Sequence, residues 1–254
     1  MKACDQTGSA NALPGVILAA GKGTRLDLGS PKMTMDVGGR PMVLRVIEAV
    51  RGAGVDRVIV VVGHRANDVQ AAVGNHVAYV VQEEQLGTGH AAQQAEGVLA
   101  GYRGPVVVTY GDIPLLRGRD IAGLVARHLE TGAAATLLTA VFEKPGSLGR
   151  IVRNPDGTVK AIVEAKDATP EQLEIREINV GVFCFAAPLL FEVLRQVKND
   201  NAQHQYYLTD VIGLLVERAQ RVEAVTMEFA FAGVGVNTPE DLAHAQRLVA
   251  AGEA

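Results

Sequence analysis

Cysteine is scarce in this 254-residue sequence, and its two copies are not placed to pair. Cys4 lies in a polar N-terminal stretch and Cys184 inside the apolar run VGVFCF. A disulfide framework is therefore not expected, and a reducing compartment fits. No apolar run approaches a membrane span, and the opening residues MKACDQTGSANALP contain no apolar signal core. A lysine-rich block is also missing. With a net charge of −4, nucleic acid is not an expected partner. There is no internal repeat and no low-complexity segment. These absences leave a cytoplasmic protein with no membrane partner, in which local cationic loops can still hold small anions.

What is present is an ordinary globular balance, 48% hydrophobic and 20% charged, in a length that suits one large α/β domain or at most two. Residues 1–14 read as a disordered tail and 15–254 as a single domain. Nearly continuous apolar runs are the strand candidates: VILAA (16–20), RVIVVVG (57–63), VAYVVQ (77–82), PVVVTYGD (105–112) and AATLLTAVF (134–142). Helices are expected between them near 41–53, 66–73, 87–100 and 118–131, an alternation that argues for βαβ units. After residue 142 the pattern changes. GRIVRN and TVKAIVE flank Asp156-Gly157 as a β-hairpin, INVGVFCF (178–185) is a further strand, and VEAVTM (222–227) another. Helices are expected near 187–196 and 207–220, and a last one opens at Pro239 with Thr238 or Asn237 near its N-cap. The expected fold is α/β: a Rossmann-like doubly wound, mixed but mainly parallel sheet carrying an inserted antiparallel β lid.

The stretch LAAGKGTRLDLGSPK (18–32) follows the first strand candidate and concentrates glycine and cationic residues. It fits neither of two familiar phosphate loops. Gly21 and Gly23 begin G-x-G-x-x-G, but Leu26 stands where the third glycine belongs, and Gly23 follows the lysine where a Walker loop needs Ser or Thr. A glycine turn between strand and helix would explain the loop without any ligand. An anion site would explain it too: glycines let backbone N–H groups approach closely, Arg25 offers a fork to phosphate oxygens, and Lys32 a mobile point charge. The loop leaves the C-terminal end of a strand, where open α/β sheets bind ligands.

LAAGKGTRL, then Pro31-Lys32, then VGGRPM (37–42), resembles the signature of sugar-1-phosphate nucleotidyltransferases. QEEQLGTGHA (82–91), YGDIPL (110–115), GRI with IVEAKDAT (149–169), EINVG (177–181), NAQHQYYLTD (201–210) and GVNTPEDL (235–242) follow in order. The series is similar to the uridyltransferase domain of the bifunctional N-acetylglucosamine-1-phosphate uridyltransferase/glucosamine-1-phosphate acetyltransferases, over nearly the whole chain from residue 15.

The resemblance implies a nucleotidyltransferase that moves UMP from UTP to N-acetylglucosamine 1-phosphate by direct attack on the α-phosphorus. A phosphate oxyanion needs no general base, so catalysis reduces to positioning and charge neutralisation. It implies catalytic roles for Arg25, Lys32 and Asp112. Asp112 and Asn237 would hold Mg²⁺, which typically takes few protein oxygens. Leu18, Ala19, Ala20, Gly21, Gly23, Gln82, Gly87 and Thr88 would contact the nucleotide. The Gln82 amide, a donor and an acceptor together, would read the uracil edge. Tyr110, Gly149, Glu164 and Asn179, with Thr88, would contact the sugar.

Each residue also has a plainer reading. Asp112 could end a strand or cap a helix, Asn237 could cap the last helix, and Glu164 could be a surface charge on the hairpin. His90 reads as a helix-packing residue, His204 as a loop residue, and Asp210 as positioning a lid helix rather than binding metal. Two departures bear on substrate. Ser147-Leu148 stand where the family commonly has an aromatic before Gly149-Arg150, and Thr238-Pro239 replace a polar pair. The chain ends at Ala254 without the hexapeptide repeats of the trimerising left-handed β-helix, so acetyl transfer is not expected and the oligomeric state is left open. Another sugar phosphate such as glucose 1-phosphate, another nucleotide, or a non-catalytic nucleotide-sugar-binding protein are the competing readings.

Overall fold

The computed structural model describes residues 12–23, 26, 31–228 and 235–252. A nine-stranded sheet organises them. Its strands are β1 (Pro14–Leu18), β2 (Arg57–Val62), β3 (Ala78–Val81), β4 (Pro105–Tyr110), β5 (Ala135–Val141), β6 (Arg150–Arg153), β7 (Val159–Val163), β8 (Glu177–Ala186) and β9 (Val222–Thr226). The main path runs β3-β2-β1-β4-β8-β5-β9, and the β6–β7 hairpin joins it through β8. β1, β2, β3 and β4 pair in parallel, with Ile17 opposite Val60 and Val16 opposite Val108. β5 and β9 are parallel too. β8 alone reverses the main path, pairing antiparallel with both β4 and β5.

The helices are α1 (Met42–Gly52), α2 (Ala66–Val73), α3 (Thr88–Gln93), α4 (Gly118–Thr131), α5 (Pro170–Leu173), α6 (Ala187–Leu194), α7 (Asp210–Glu217) and α8 (Pro239–Ala250). They cover the sheet with two apolar layers. Strand alternation sorts neighbours between them: Ile17, Val60 and Val107 face one layer, with Val46 of α1 and Leu124 of α4. Val16, Ile59 and Val106 face the other, with Leu190 of α6 and Ile212 of α7. Burial on both faces is why the strands read as continuous apolar runs. Cys184 sits in β8 as a free thiol that burial pushes up to about 12, which suits an inert packing residue. No helix among the described residues is long and apolar enough to cross a membrane.

The expected elements are present, with shifted ends. β1 begins at Pro14 and stops at Leu18, so Ala19 and Ala20 leave the strand to enter the loop. α3 ends at Gln93 instead of running to 100, because the chain tightens into i→i+3 bonds (Ala95 N to Ala92 O, Glu96 N to Gln93 O) ahead of Gly97. α7 begins at Asp210, since residues 205–208 are held against the 86–89 segment: Tyr206 N donates to Leu86 O, Gly89 N to Tyr206 O, and Leu208 N to Thr88 Oγ1. A single 3-10 turn at Lys32–Thr34 and the short α5 were not expected.

Candidate functional site

Strand order reverses direction between β1 and β4, and a crevice outside the carboxyl ends of such strands is where open α/β sheets place ligands. A cavity of about 550 Å³ lies there. Leu18 at the end of β1 and Tyr110 and Asp112 at the end of β4 line it. Towards β3 it is walled by Gln82, Gly87 and Thr88, and towards β8 by Gly149, Glu164 and Asn179. Residues separated by more than 200 positions in sequence, Gly21 and Asn237 among them, thus share one surface.

Between the two ends lies a trio of an ammonium, a carboxylate and an amide. Lys32 Nζ donates to Asp112 Oδ2 at 2.6 Å and to Asn237 Oδ1 at 2.9 Å. The lysine is nearly buried, its side chain 8% exposed against 17% for Asp112. Gly23 makes room for it: with φ +62, a Cβ there would lie 2.7 Å from Lys32 Cβ. Gly21 meets nothing within 4 Å and borders open space, so the two glycines of the loop serve different tasks. Asp112 stands in the turn that ends β4, as its plainer reading has it, but neither Asp112 nor Asn237 is a helix cap. Arg117, not Asp112, is the N-cap residue of α4. Thr238 caps α8 in a reciprocal capping box with Asp241, and Asp241 Oδ2 also takes the backbone N–H of Asn237. Relieved of capping, the Asn237 amide donates Nδ2 to Gly235 O and turns Oδ1 toward Lys32.

At the β3 end, Gln82 follows the last strand residue and is only 2% exposed. Its Nε2 lies 3.0 Å from Gly87 O and 3.0 Å from His90 Nδ1. His90, read from sequence as a packing residue, is a polar partner of the amide instead.

The β8 end is assembled from side chains on distant segments. Burial, with Glu164 next, pushes the Tyr110 hydroxyl far above the ordinary phenol range. Its ring meets Phe183 edge-on at 6.5 Å. Asn179 Oδ1 accepts from Gly181 N, and Asn179 N donates to Gly149 O. Glu164 accepts from Thr209 Oγ1 at 3.0 Å, and burial raises its carboxyl above the usual range. It is half-buried, not a surface charge.

Of the residues singled out from sequence, Leu18, Ala20, Gly21, Gly23, Lys32, Gln82, Gly87, Thr88, Tyr110, Asp112, Gly149, Glu164, Asn179 and Asn237 line this cavity. Ala19 turns the other way: its N–H donates to Val61 O and its side chain is buried in the α1 layer. Arg25 lies outside the described residues, as do positions 1–11 of the tail. Gln203, Gln205 and Tyr207 line the cavity too, although the NAQHQYYLTD motif singled out none of them. Arg150 was also overlooked. It is 3% exposed, donates to the carbonyls of Gly146 and Leu148, and so braces the turn that presents Gly149. An arginine beside a glycine in a strand start was the available signal.

The description MobA-like NTP transferase domain matches residues 15–210. The chain is 47% identical over 231 residues to the bifunctional protein GlmU of Carboxydothermus hydrogenoformans, covering 91% of this chain and 51% of that protein. It is 43% identical over 237 residues to that of Acetivibrio thermocellus, covering 93% and 51%. The chain thus spans about half the length of the curated relatives it matches. A crystal structure of UDP-glucose pyrophosphorylase complexed with UDP-glucose superposes with a TM-score of 0.74 at 16% identity, over 95% of this chain and 99% of that one, which shows a shared fold.

Proposed function

Because the chain belongs to the MobA-like NTP transferase domain family, we propose that it transfers UMP from UTP to N-acetylglucosamine 1-phosphate, giving UDP-N-acetylglucosamine and pyrophosphate. The observation that carries this reading is the order of groups in one cavity: a buried amide on the β3 side, a cation–carboxylate–amide trio at the switch point, and a carboxylate, an amide and a tyrosine hydroxyl on the β8 side. That order matches base, phosphates and sugar.

Asp112 Oδ2 and Asn237 Oδ1 are hard oxygen donors already gathered round a positive charge, the Lys32 ammonium, so the donor set fits Mg²⁺. When bound, that ion would supply neutralisation of phosphate charge as pyrophosphate leaves. The chain's residues do the rest. Gly21 offers open backbone to the triphosphate, and Lys32, with Arg25 by resemblance, supplies charge to the departing oxygens. Glu164 and Asn179 hold sugar hydroxyls, and the turn at Gly149 meets the acetyl group. A sugar-phosphate oxygen then bonds to the α-phosphorus as the bond to the pyrophosphate bridging oxygen breaks, and no proton need move.

Incubation with UTP, N-acetylglucosamine 1-phosphate and Mg²⁺ should release pyrophosphate, and no release with any divalent metal sinks the reading. Ser147 and Leu148 line the cavity beside Gly149, where the motif it resembles has an aromatic, which favours testing a second acceptor, glucose 1-phosphate. Ranking both by kcat/KM separates the two.

A further inference from the structure

We propose that His90 is a positioning residue that fixes the face Gln82 shows to the base, and thereby makes the site demand an N–H on the base edge. The inference rests on the uridyl-transfer reading above and deepens it. An amide bears two hydrogens on nitrogen and two acceptor sites on oxygen. Both Nε2 hydrogens of Gln82 are used: one goes to Gly87 O and one to His90 Nδ1, each at 3.0 Å. The assignment of nitrogen and oxygen is not free. Gly87 O can only accept, so rotating the amide by half a turn would set two oxygens face to face. His90 Nδ1 must then be the unprotonated ring nitrogen, with the proton on Nε2. Among the described residues nothing donates to Gln82 Oε1.

Gln82 therefore faces the cavity as an acceptor only, not as the donor–acceptor pair its residue type allows. Uracil carries an N3–H that such an oxygen can take. Cytosine carries a bare N3 lone pair, which would meet a second lone pair on a residue only 2% exposed. The two acceptors that commit the amide belong to one turn: Gly87 is the N-cap of α3 and His90 stands three residues on. The first turn of α3 thus orients the reading residue, and His90 does so from outside the cavity lining.

The test compares UTP with CTP by kcat/KM in the full chain. The wild type should favour UTP by about 10³-fold or more, since a site built around one hydrogen bond rejects the analogue that lacks it. His90→Leu removes one of the two acceptors, leaves Gly87 O as the single group holding the amide, and should lower the UTP:CTP ratio at least roughly tenfold. His90→Asn can return an acceptor near the Nδ1 position and should restore most of the ratio. A Leu variant that melts like wild type and keeps the full ratio overturns the proposal, as does a wild type that prefers CTP. Nitrogen-15 NMR of the wild-type histidine side chains gives a reading that needs no variant. His90 should show the Nε2–H tautomer, and an Nδ1–H tautomer overturns the arrangement. A wild type with no turnover on either nucleotide would defeat the uridyl-transfer reading, while the tautomer still judges His90.

Discussion

The two ends of the cavity are built by different means. The β3 end and the switch point lean on parallel strands: Gln82 sits one residue past β3 and Asp112 two past β4, and backbone contacts set their direction. Gln82 N donates to Val62 O, Gly111 N to Leu18 O, and Val236 N to Asp112 O. The β8 end comes from a reversed strand, a hairpin and two loops tied by side chains. Arg150 holds the Gly149 turn, Thr209 bonds Glu164, and Asp167 takes Ala202 N at 2.7 Å and Tyr207 Oη at 3.3 Å. Charge is handled differently as well. Asp112 faces Lys32, whereas Glu164, Asp167, Asp200 and Asp210 crowd one another. On the proposed reading, the frame of strands would hold nucleotide and phosphates, and the tied loops would hold the acceptor, the part that could differ without moving the sheet.

Four changes would break or sharpen this contrast. The largest effect belongs to the shared centre. Asp112→Ala should lower kcat by about 10²–10³, a loss of roughly 3–4 kcal/mol in the transition state, in a pyrophosphate-release assay. Near-normal turnover would remove Asp112 from the machinery. Gly181→Ala strikes the β8 end alone. At φ +83, its Cβ would fall 2.3 Å from Tyr110 Cδ2, so the ring must move from its partners. Strain of this kind costs about 1–3 kcal/mol, and the melting temperature should drop by several degrees. Arg150→Met is subtler. Losing the brace at Gly146 and Leu148 should raise KM for the sugar phosphate roughly tenfold while KM for UTP stays put. Equal rises in both would mean the two ends are not built separately.

The smallest effect concerns like charge. Burial, then Glu164, Asp167 and Asp200, push the Asp210 carboxyl up to about 6. A carboxyl whose folded value lies above its free value of 3.8 favours the fold when protonated. That contribution is present at pH below 3.8 and lost as pH rises through 6. Asp210→Asn should therefore raise the melting temperature at pH 7.5 and add little at pH 3.5. A uniform gain at both pH values would trace the effect to something other than its charge.

The strand frame was legible because burial on both faces writes itself as apolar runs, and β1, β2 and β3 lie side by side in the sheet as βαβ units do. The direction of β8 was not. INVGVFCF reads the same whether it lies parallel or antiparallel, and only its neighbours, Val107 opposite Cys184 and Thr136 opposite Cys184 on the other side, decide it. At the site, the resemblance of the motifs announced Gln82 and Asn237, and Asp112 was marked by its place at a strand end as well. The division of labour behind them could not be read. That Thr238 rather than Asn237 caps α8 depends on which side chain reaches Asp241, and that His90 serves Gln82 depends on how the turn after β3 folds back. Gln203, Gln205 and Tyr207 arrive on a loop whose path is set by hydrogen bonds to residues some 120 positions earlier, such as Leu208 N to Thr88 Oγ1. Nothing local records such a contact.

The place of β8 also orders how the chain can assemble. β2 finds β1 already made, and β3 and β4 each find a parallel neighbour upstream. β5 does not: its two neighbours, β8 and β9, both lie downstream of it in sequence. During synthesis the first four strands can dock as they emerge, while β5 waits for Glu177–Ala186 to slide between it and β4. The molecule therefore closes from its long-range contacts last, and its slowest folding step should be the insertion of that one strand.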